Sequence, residues 1–181
     1  YLQYLPRIES YDHWLDIGFD NRLFDNDIRF QNTPVGVDVR SAPYSLEYRG
    51  EFAFDSSQLD FNVQWVQNTS LGSNNTKSKY ANSRFGADNN WQLIRYGFNI
   101  NQTFDRWMLR TALSAQHSNE PLVSGEQLGL GGSNSVRAYE ERETGADSGQ
   151  RLGGECRSLV VEATTVQRPG GHDLGTVPGE Q

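Results

Sequence analysis

The chain has 181 residues, 35% of them hydrophobic, and a formal net charge of −7, with a mean hydropathy of −0.70. That length suits one ordinary domain, no run approaches the roughly 18 apolar residues of a membrane-spanning helix, and an acidic balance without a Lys/Arg run excludes nucleic acid or an anionic surface as partner. The single cysteine, Cys156, excludes an internal disulfide, and no Cys/His spacing suits zinc.

The first predicted strand lies near residues 12–20, where Leu15, Ile17 and Phe19 share one face. Residues 21–42 read as a loop with some extended structure. From Pro43 the period is two without a break: Tyr44, Leu46, Tyr48, Phe52 and Phe54 fall on one face, and Ser45, Glu47, Arg49, Glu51 and Asp55 on the other. This run, 43–54, has the length of about 9 to 11 residues that a tilted strand needs to cross a bilayer. After the turn signal at Asp55, Ser56, Ser57 and Gln58 the alternation resumes over 59–67, with Leu59, Phe61, Val63 and Trp65 against Asp60, Asn62 and Gln64, which predicts a hairpin.

The stretch from Asn68 to Asn90 is rich in Asn, Ser and Gly and reads as a loop unable to bury a core. A second hairpin follows, with strands near 91–101 and 106–117. Ile94, Tyr96, Phe98 and Ile100 alternate with Arg95, Gly97, Asn99 and Asn101, and Trp107, Leu109, Thr111 and Leu113 with Met108, Arg110, Ala112 and Ser114. A long connection over 118–149 leads to a last strand near 150–158.

The connections therefore run short, long, short, long. Outer-membrane barrels have short periplasmic turns and long extracellular loops, and aromatic girdles at both interfaces, where Tyr44, Phe54, Trp65, Phe104 and Trp107 would lie. A low mean hydropathy is compatible with such a barrel, since only half of each strand meets lipid. A soluble β-sandwich, for instance a carbohydrate-binding module, has the same alternation, so periodicity alone leaves both open.

The segment 120–149 holds Gly131-Gly132 followed by Val136-Arg137-Ala138-Tyr139. It resembles the sixth extracellular loop of the two-partner secretion transporters, the haemolysin secretion/activation family of the Omp85 superfamily. The hallmark of that family is a Gly-Gly followed by Val-Arg-Gly-Tyr or Val-Arg-Gly-Phe. Asp38 to Leu46 and Ile94-Arg95-Tyr96 resemble strand segments of the same family, and the likeness extends from about residue 12 to about residue 155.

The resemblance implies an all-β fold, an antiparallel transmembrane β-barrel fragment with long extracellular loops. It corresponds to about five or six strands of a barrel that the family closes with about sixteen. It also implies an outer-membrane transporter that secretes and activates a partner exoprotein, haemolysin- or adhesin-like, without enzymatic activity, cofactor, metal or small-molecule substrate. Its other partner is outer-membrane lipid. In the family this loop folds into the lumen and its arginine meets acidic and aromatic groups on the wall. Arg137 is thus the expected latch, with Tyr139 beside it and Gly131 and Gly132 permitting turns barred to other residues. Glu47, Arg49, Glu51, Arg95 and Arg110 are expected to face the lumen.

The segment departs from the family pattern in two places. Ala138 replaces the glycine after the arginine, and Ala146-Asp147-Ser148-Gly149 replaces a Gly-Asp-Arg-Gly ending. The segment 156–181 is read as a non-matching, disordered tail, and the start at Tyr1, without a signal core, as an internal cut. An Omp85-type assembly factor is the alternative within the superfamily. Other features carry no chemistry. The run Gly129-Leu130-Gly131-Gly132-Ser133-Asn134 has no glycine at its last position and lacks the flanking strand and helix of a dinucleotide site, and His13, His117 and His172 are scattered. The run Glu140-Glu141-Arg142-Glu143 reads as a solvated loop face.

Overall fold

A computed structural model describes residues 1–26, 29–31, 33–34, 36–132, 140 and 144–158, residues 29, 30, 33 and 34 by backbone alone. In chain order its elements are β1 (Leu2–Tyr4), β2 (Tyr11–Phe19), β3 (Arg22–Phe24), β4 (Arg29–Phe30), β5 (Thr33–Pro34), β6 (Val39–Ser41), β7 (Pro43–Ala53) and β8 (Ser57–Asn68). There follow α1 (Lys77–Ser83), β9 (Gln92–Phe104), β10 (Trp107–Ser118), β11 (Leu128–Leu130), β12 (Thr144–Ala146) and β13 (Gly149–Ser158).

One antiparallel sheet organises the molecule, in the order β1-β2-β7-β8-β9-β10-β13. Apart from β1, its strands are 9 to 13 residues long. Three two-stranded ribbons, β3/β6, β4/β5 and β11/β12, stand in the long connections. The register aligns like with like. Leu46 sits opposite Ile17 and Trp65, Val63 opposite Tyr48 and Tyr96, and Phe98 opposite Phe61 and Leu113. Because side chains alternate across a strand, these pairings gather one continuous apolar face and leave the other polar.

The apolar face has no second layer over it among the described residues. Ile17, Phe19, Tyr44, Leu46, Val63, Trp65, Ile94, Tyr96, Ile100 and Leu109 are all large, apolar and exposed. A β-sandwich would bury that row, and a contiguous exposed apolar surface of this size marks contact with another apolar phase. At the end of the sheet where the long connections lie, Tyr44 meets Trp65 edge to face, with centroids 5.4 Å apart. At the short-turn end Phe54, Phe104 and Trp107 are exposed. The face is thus bounded at both ends by aromatic rings, as at a bilayer interface.

The buried core lies elsewhere, at the long-connection end. It consists of Val39, Val66, Tyr80, Ala87, Trp91, Leu93, Leu122 and Val123, with Phe24 and Val37 packed against it. This corrects the expectation that residues 68–90 cannot bury a core, since Tyr80 and Ala87 within that stretch are buried, beside the fully buried Trp91 that follows it. The reason is that the asparagines of this stretch satisfy one another instead of facing water. The Asn68 side-chain amide donates to Asn75 Oδ1 (3.1 Å), to the Tyr80 hydroxyl (3.2 Å) and to Asn89 O (2.8 Å), and its oxygen accepts from Ala42 N (2.8 Å). A polar segment can close over two aromatic rings once its amides are paired in this way. Thr76 caps α1 by accepting from Lys79 N.

Candidate functional site at the base of the 119–148 connection

The polar face of the sheet carries all five charged residues singled out from sequence, Glu47, Arg49, Glu51, Arg95 and Arg110. Register pairs Glu47 with Gln64, Arg49 with Asn62, Glu51 with Asp60, Arg95 with Gln116 and Arg110 with Asn101. Glu47 is nearly buried: it accepts from Arg49 Nη2 at 2.8 Å and from Asn62 Nδ2 at 3.0 Å. Glu51 accepts from Gln58 Nε2 at 2.8 Å. Trp14, Glu47, Arg49, Asp60, Asn62 and Asn99 line a hollow on this face.

Charge on the polar face is sorted across the sheet. β2, β7 and β8 present Asp12, Asp16, Glu47, Glu51 and Asp60, with Arg49 among them. β9, β10 and β13 present Arg95, Arg110, Arg151 and Arg157, with Glu155 among them.

The 119–148 connection turns back over this same face. Gln116, on the polar face of β10 and almost fully buried, donates through Nε2 to Glu126 O (3.2 Å) and Asp147 O (3.1 Å) and accepts from Arg95 Nε (2.9 Å). One strand side chain therefore holds both legs of the connection. Between the legs β11 and β12 pair as a short ribbon, Leu128 opposite Ala146 and Leu130 opposite Thr144. Leu128 borders a cleft with Gln64, Arg95, Asn99, Ser114 and Arg151, so the ribbon begins directly over the polar wall.

Each leg ends on a carboxylate. Glu126, 1% exposed, closes a 3-10 turn formed by Ser124–Glu126. Its oxygens accept from Arg22 Nη1 at 3.1 and 3.3 Å and from Ser41 Oγ at 2.9 Å, and Arg95 Nη2 stands 3.7 Å away. Asp147 takes both Arg84 Nη atoms, at 2.5 and 2.9 Å, together with Leu122 N and Gln127 Nε2, each at 3.0 Å. The Arg84 guanidinium in particular brings the Asp147 carboxyl down from 3.8 to about 2.

Gly131 and Gly132, where β11 ends, have φ of +113° and +90°. These are conformations that other residues adopt only under strain, so the two glycines set the direction in which the chain leaves the ribbon. Val136, Arg137, Ala138 and Tyr139 lie outside the described residues. Among the described residues no group of His, Cys, Asp and Glu could hold a metal ion, and no helix is long and apolar enough to cross a membrane.

The family described as "Haemolysin secretion/activation protein ShlB/FhaC/HecB" matches residues 17–181. The chain belongs to this family. Its fold is accordingly a segment of the antiparallel transmembrane β-barrel of the two-partner secretion transporters. The solved structure of CdiB from Escherichia coli superposes on 86% of the chain with a TM-score of 0.67 at 20% sequence identity. The chain spans 28% of that structure's length. A comparison with curated proteins gives no match. The family match runs to residue 181 and so takes in the segment 156–181, of which residues 159–181 lie outside the described structure.

Several residues that build the loop base carry no warning in the sequence. Glu126 is one glutamate in a Gly-rich polar stretch, and Arg22 and Ser41 reach it from 104 and 85 residues upstream. No periodic pattern links such positions. Asp147 stands out only as the aspartate of the family's loop ending.

Proposed function

We propose that this segment belongs to a bacterial outer-membrane transporter that passes a secreted partner exoprotein, haemolysin- or adhesin-like, across the membrane by two-partner secretion. The apolar face meets lipid and the polar face lines the lumen, so Glu47, Arg49, Glu51, Arg95 and Arg110 contact water and the passing polypeptide. The short turns are periplasmic and the long connections extracellular.

The observation that carries this reading, beyond family membership, is the attachment of both legs of the 119–148 connection to the polar face through Gln116. An extracellular loop rooted on the lumen side reaches inward, and Val136-Arg137-Ala138-Tyr139 then acts as its tip. Arg137, with five fixed donors and a permanent charge, latches the loop to a carboxylate in the partly dehydrated lumen. Transport is passive conduction of an unfolded chain, and the partner opens the path by displacing loop contacts, which requires only a difference in affinity between the two states. No catalytic step or cofactor enters.

The test is Arg137→Ala in the full-length transporter. Secretion of the partner should fall while the barrel level in the outer membrane stays constant. Unchanged secretion at normal membrane level would remove the latch from the mechanism.

A further inference from the structure

On the polar face, the cleft bordered by Leu128 extends from Gln64 on β8 across β9 and β10 to Arg151 on β13. Its volume is about 410 Å³. Three strand spacings separate its two sides, about 14 Å, which is the reach of roughly four extended residues. Gly97, Ala112 and Gly153 form part of its floor, and a Cβ added at Gly153 would meet nothing within 4 Å.

The polar groups around this cleft differ in how far their hydrogen bonds are already used. Arg95 donates to Gln116 and stands 3.7 Å from the Glu126 carboxylate, so its charge is answered within the protein. The side chains of Gln64, Asn99, Ser114 and Arg151 have no partner among the described residues. Each can therefore exchange water for a ligand without breaking a protein contact. The two amides and the hydroxyl both donate and accept, which suits the alternating N–H and C=O groups of an extended backbone. The Arg151 guanidinium only donates, keeps its charge and presents a planar fork to a carboxylate. At the opposite side Asp60 pairs with Asn99 in the β8–β9 register, where it repels a second carboxylate.

From this arrangement we infer that the cleft is a binding subsite for an extended polypeptide segment carrying an acidic side chain. The carboxylate seats on Arg151, and the backbone crosses Ser114, Asn99 and Gln64. This rests on the reading of the polar face as the channel wall, and it adds a preference for acidic segments. Strands of an outer-membrane barrel tilt by about 35 to 45°, so a chain moving along the channel axis crosses them obliquely and meets these groups in turn.

The experiment uses the full-length transporter in planar bilayers, with heat-dependent gel mobility as the control for a folded barrel. The probes are a blocked octapeptide of alternating serine and aspartate and its serine/asparagine counterpart, each read as the concentration that halves the channel current. The aspartate peptide should act at a roughly tenfold lower concentration, the ratio expected for one charge-assisted pair. Arg151→Gln should abolish that ratio, and Arg151→Lys should retain part of it. Arg157→Gln removes the same charge at the far end of the same strand and should leave the ratio within about twofold of wild type. Equal losses in Arg151→Gln and Arg157→Gln, or no block by the aspartate peptide, would overturn the subsite. Acetate at the same carboxylate concentration should not relieve the block, and full competition by acetate would reduce the cleft to a general anion site. The channel wall is tested separately by Asn101→Cys, on the polar face outside the cleft, in a Cys156→Ser background. It should react with a membrane-impermeant maleimide in the folded barrel. If it reacts while Arg151→Gln leaves the ratio unchanged, the subsite is refuted and the wall stands. If it stays unreactive, the assignment of the polar face itself fails.

Discussion

Gly50 and Phe61 face one another across the β7–β8 ladder, and the phenylalanine ring fills the space above the glycine. A Cβ on Gly50 would lie 2.5 Å from Phe61 Cε1 and 2.6 Å from the Tyr11 hydroxyl oxygen. Tyr11 in turn stacks on Phe52 with centroids 4.2 Å apart. Gly50→Val should therefore force this aromatic group apart and cost about 1 to 3 kcal/mol. A lowered unfolding midpoint of the full-length barrel in urea is the expected readout, and an unchanged midpoint would show that the rings yield freely.

Adjacent positions of β8 offer a test of which face meets lipid. Val63 lies on the apolar face and is half exposed, whereas Gln64 lies on the polar face opposite Glu47 and Arg95. Val63→Arg near mid-strand should destabilise the inserted barrel by about 2 to 4 kcal/mol, and Gln64→Arg by far less. Equal losses at both positions, measured by folding titration into lipid vesicles, would contradict the assignment of faces.

The asparagine network at the long-connection end should respond sharply to Asn68→Ala. That change leaves Ala42 N without its acceptor and removes the donor to Asn75, Tyr80 and Asn89 in a region closed to water. A local cost of about 2 to 4 kcal/mol follows. Faster protease cleavage within 69–91 while the barrel retains its heat-dependent mobility would reveal it.

Acid should loosen the Asp147 leg. The folded-state pKa is about 2 against an ordinary 3.8, so the stabilisation is complete above the higher value and disappears as pH falls through the lower one. It amounts to roughly 1 to 2 kcal/mol after allowance for partial exposure. Amide exchange at Leu122 N–H, which Asp147 accepts at 3.0 Å, should accelerate between about pH 4 and pH 2 beyond the intrinsic dependence. In Asp147→Asn that extra acceleration should vanish.

Much of the sheet was legible because β7 to β10 alternate strictly. Tyr44, Leu46, Val63, Trp65, Ile94 and Tyr96 could be set on one face from spacing alone. Spacing could not say whether that face lies in a dry protein interior or against lipid, since a sandwich alternates in the same way. Resemblance around Gly131, Gly132 and Arg137 favours lipid, and the exposure of the apolar row together with family membership supports the same side. The buried cluster of Tyr80 and Trp91 was not legible. Those rings sit among residues whose composition describes a solvated loop, and the pairing that allows their burial joins Asn68, Asn75 and Asn89 across a fold no local window reveals. The loop base escaped for the same reason, because the partners of Glu126 come from distant parts of the chain.

The division of the polar face into an acidic side and a basic side means that a charged group brought beside it meets a sideways field in place of a uniform surface. Lysines are drawn one way and aspartates the other. Two unit charges 4 Å apart attract by about 1 kcal/mol in bulk water and more strongly where water is displaced. A peptide of mixed sign laid against this face would be pulled in two directions at once by many shallow attractions.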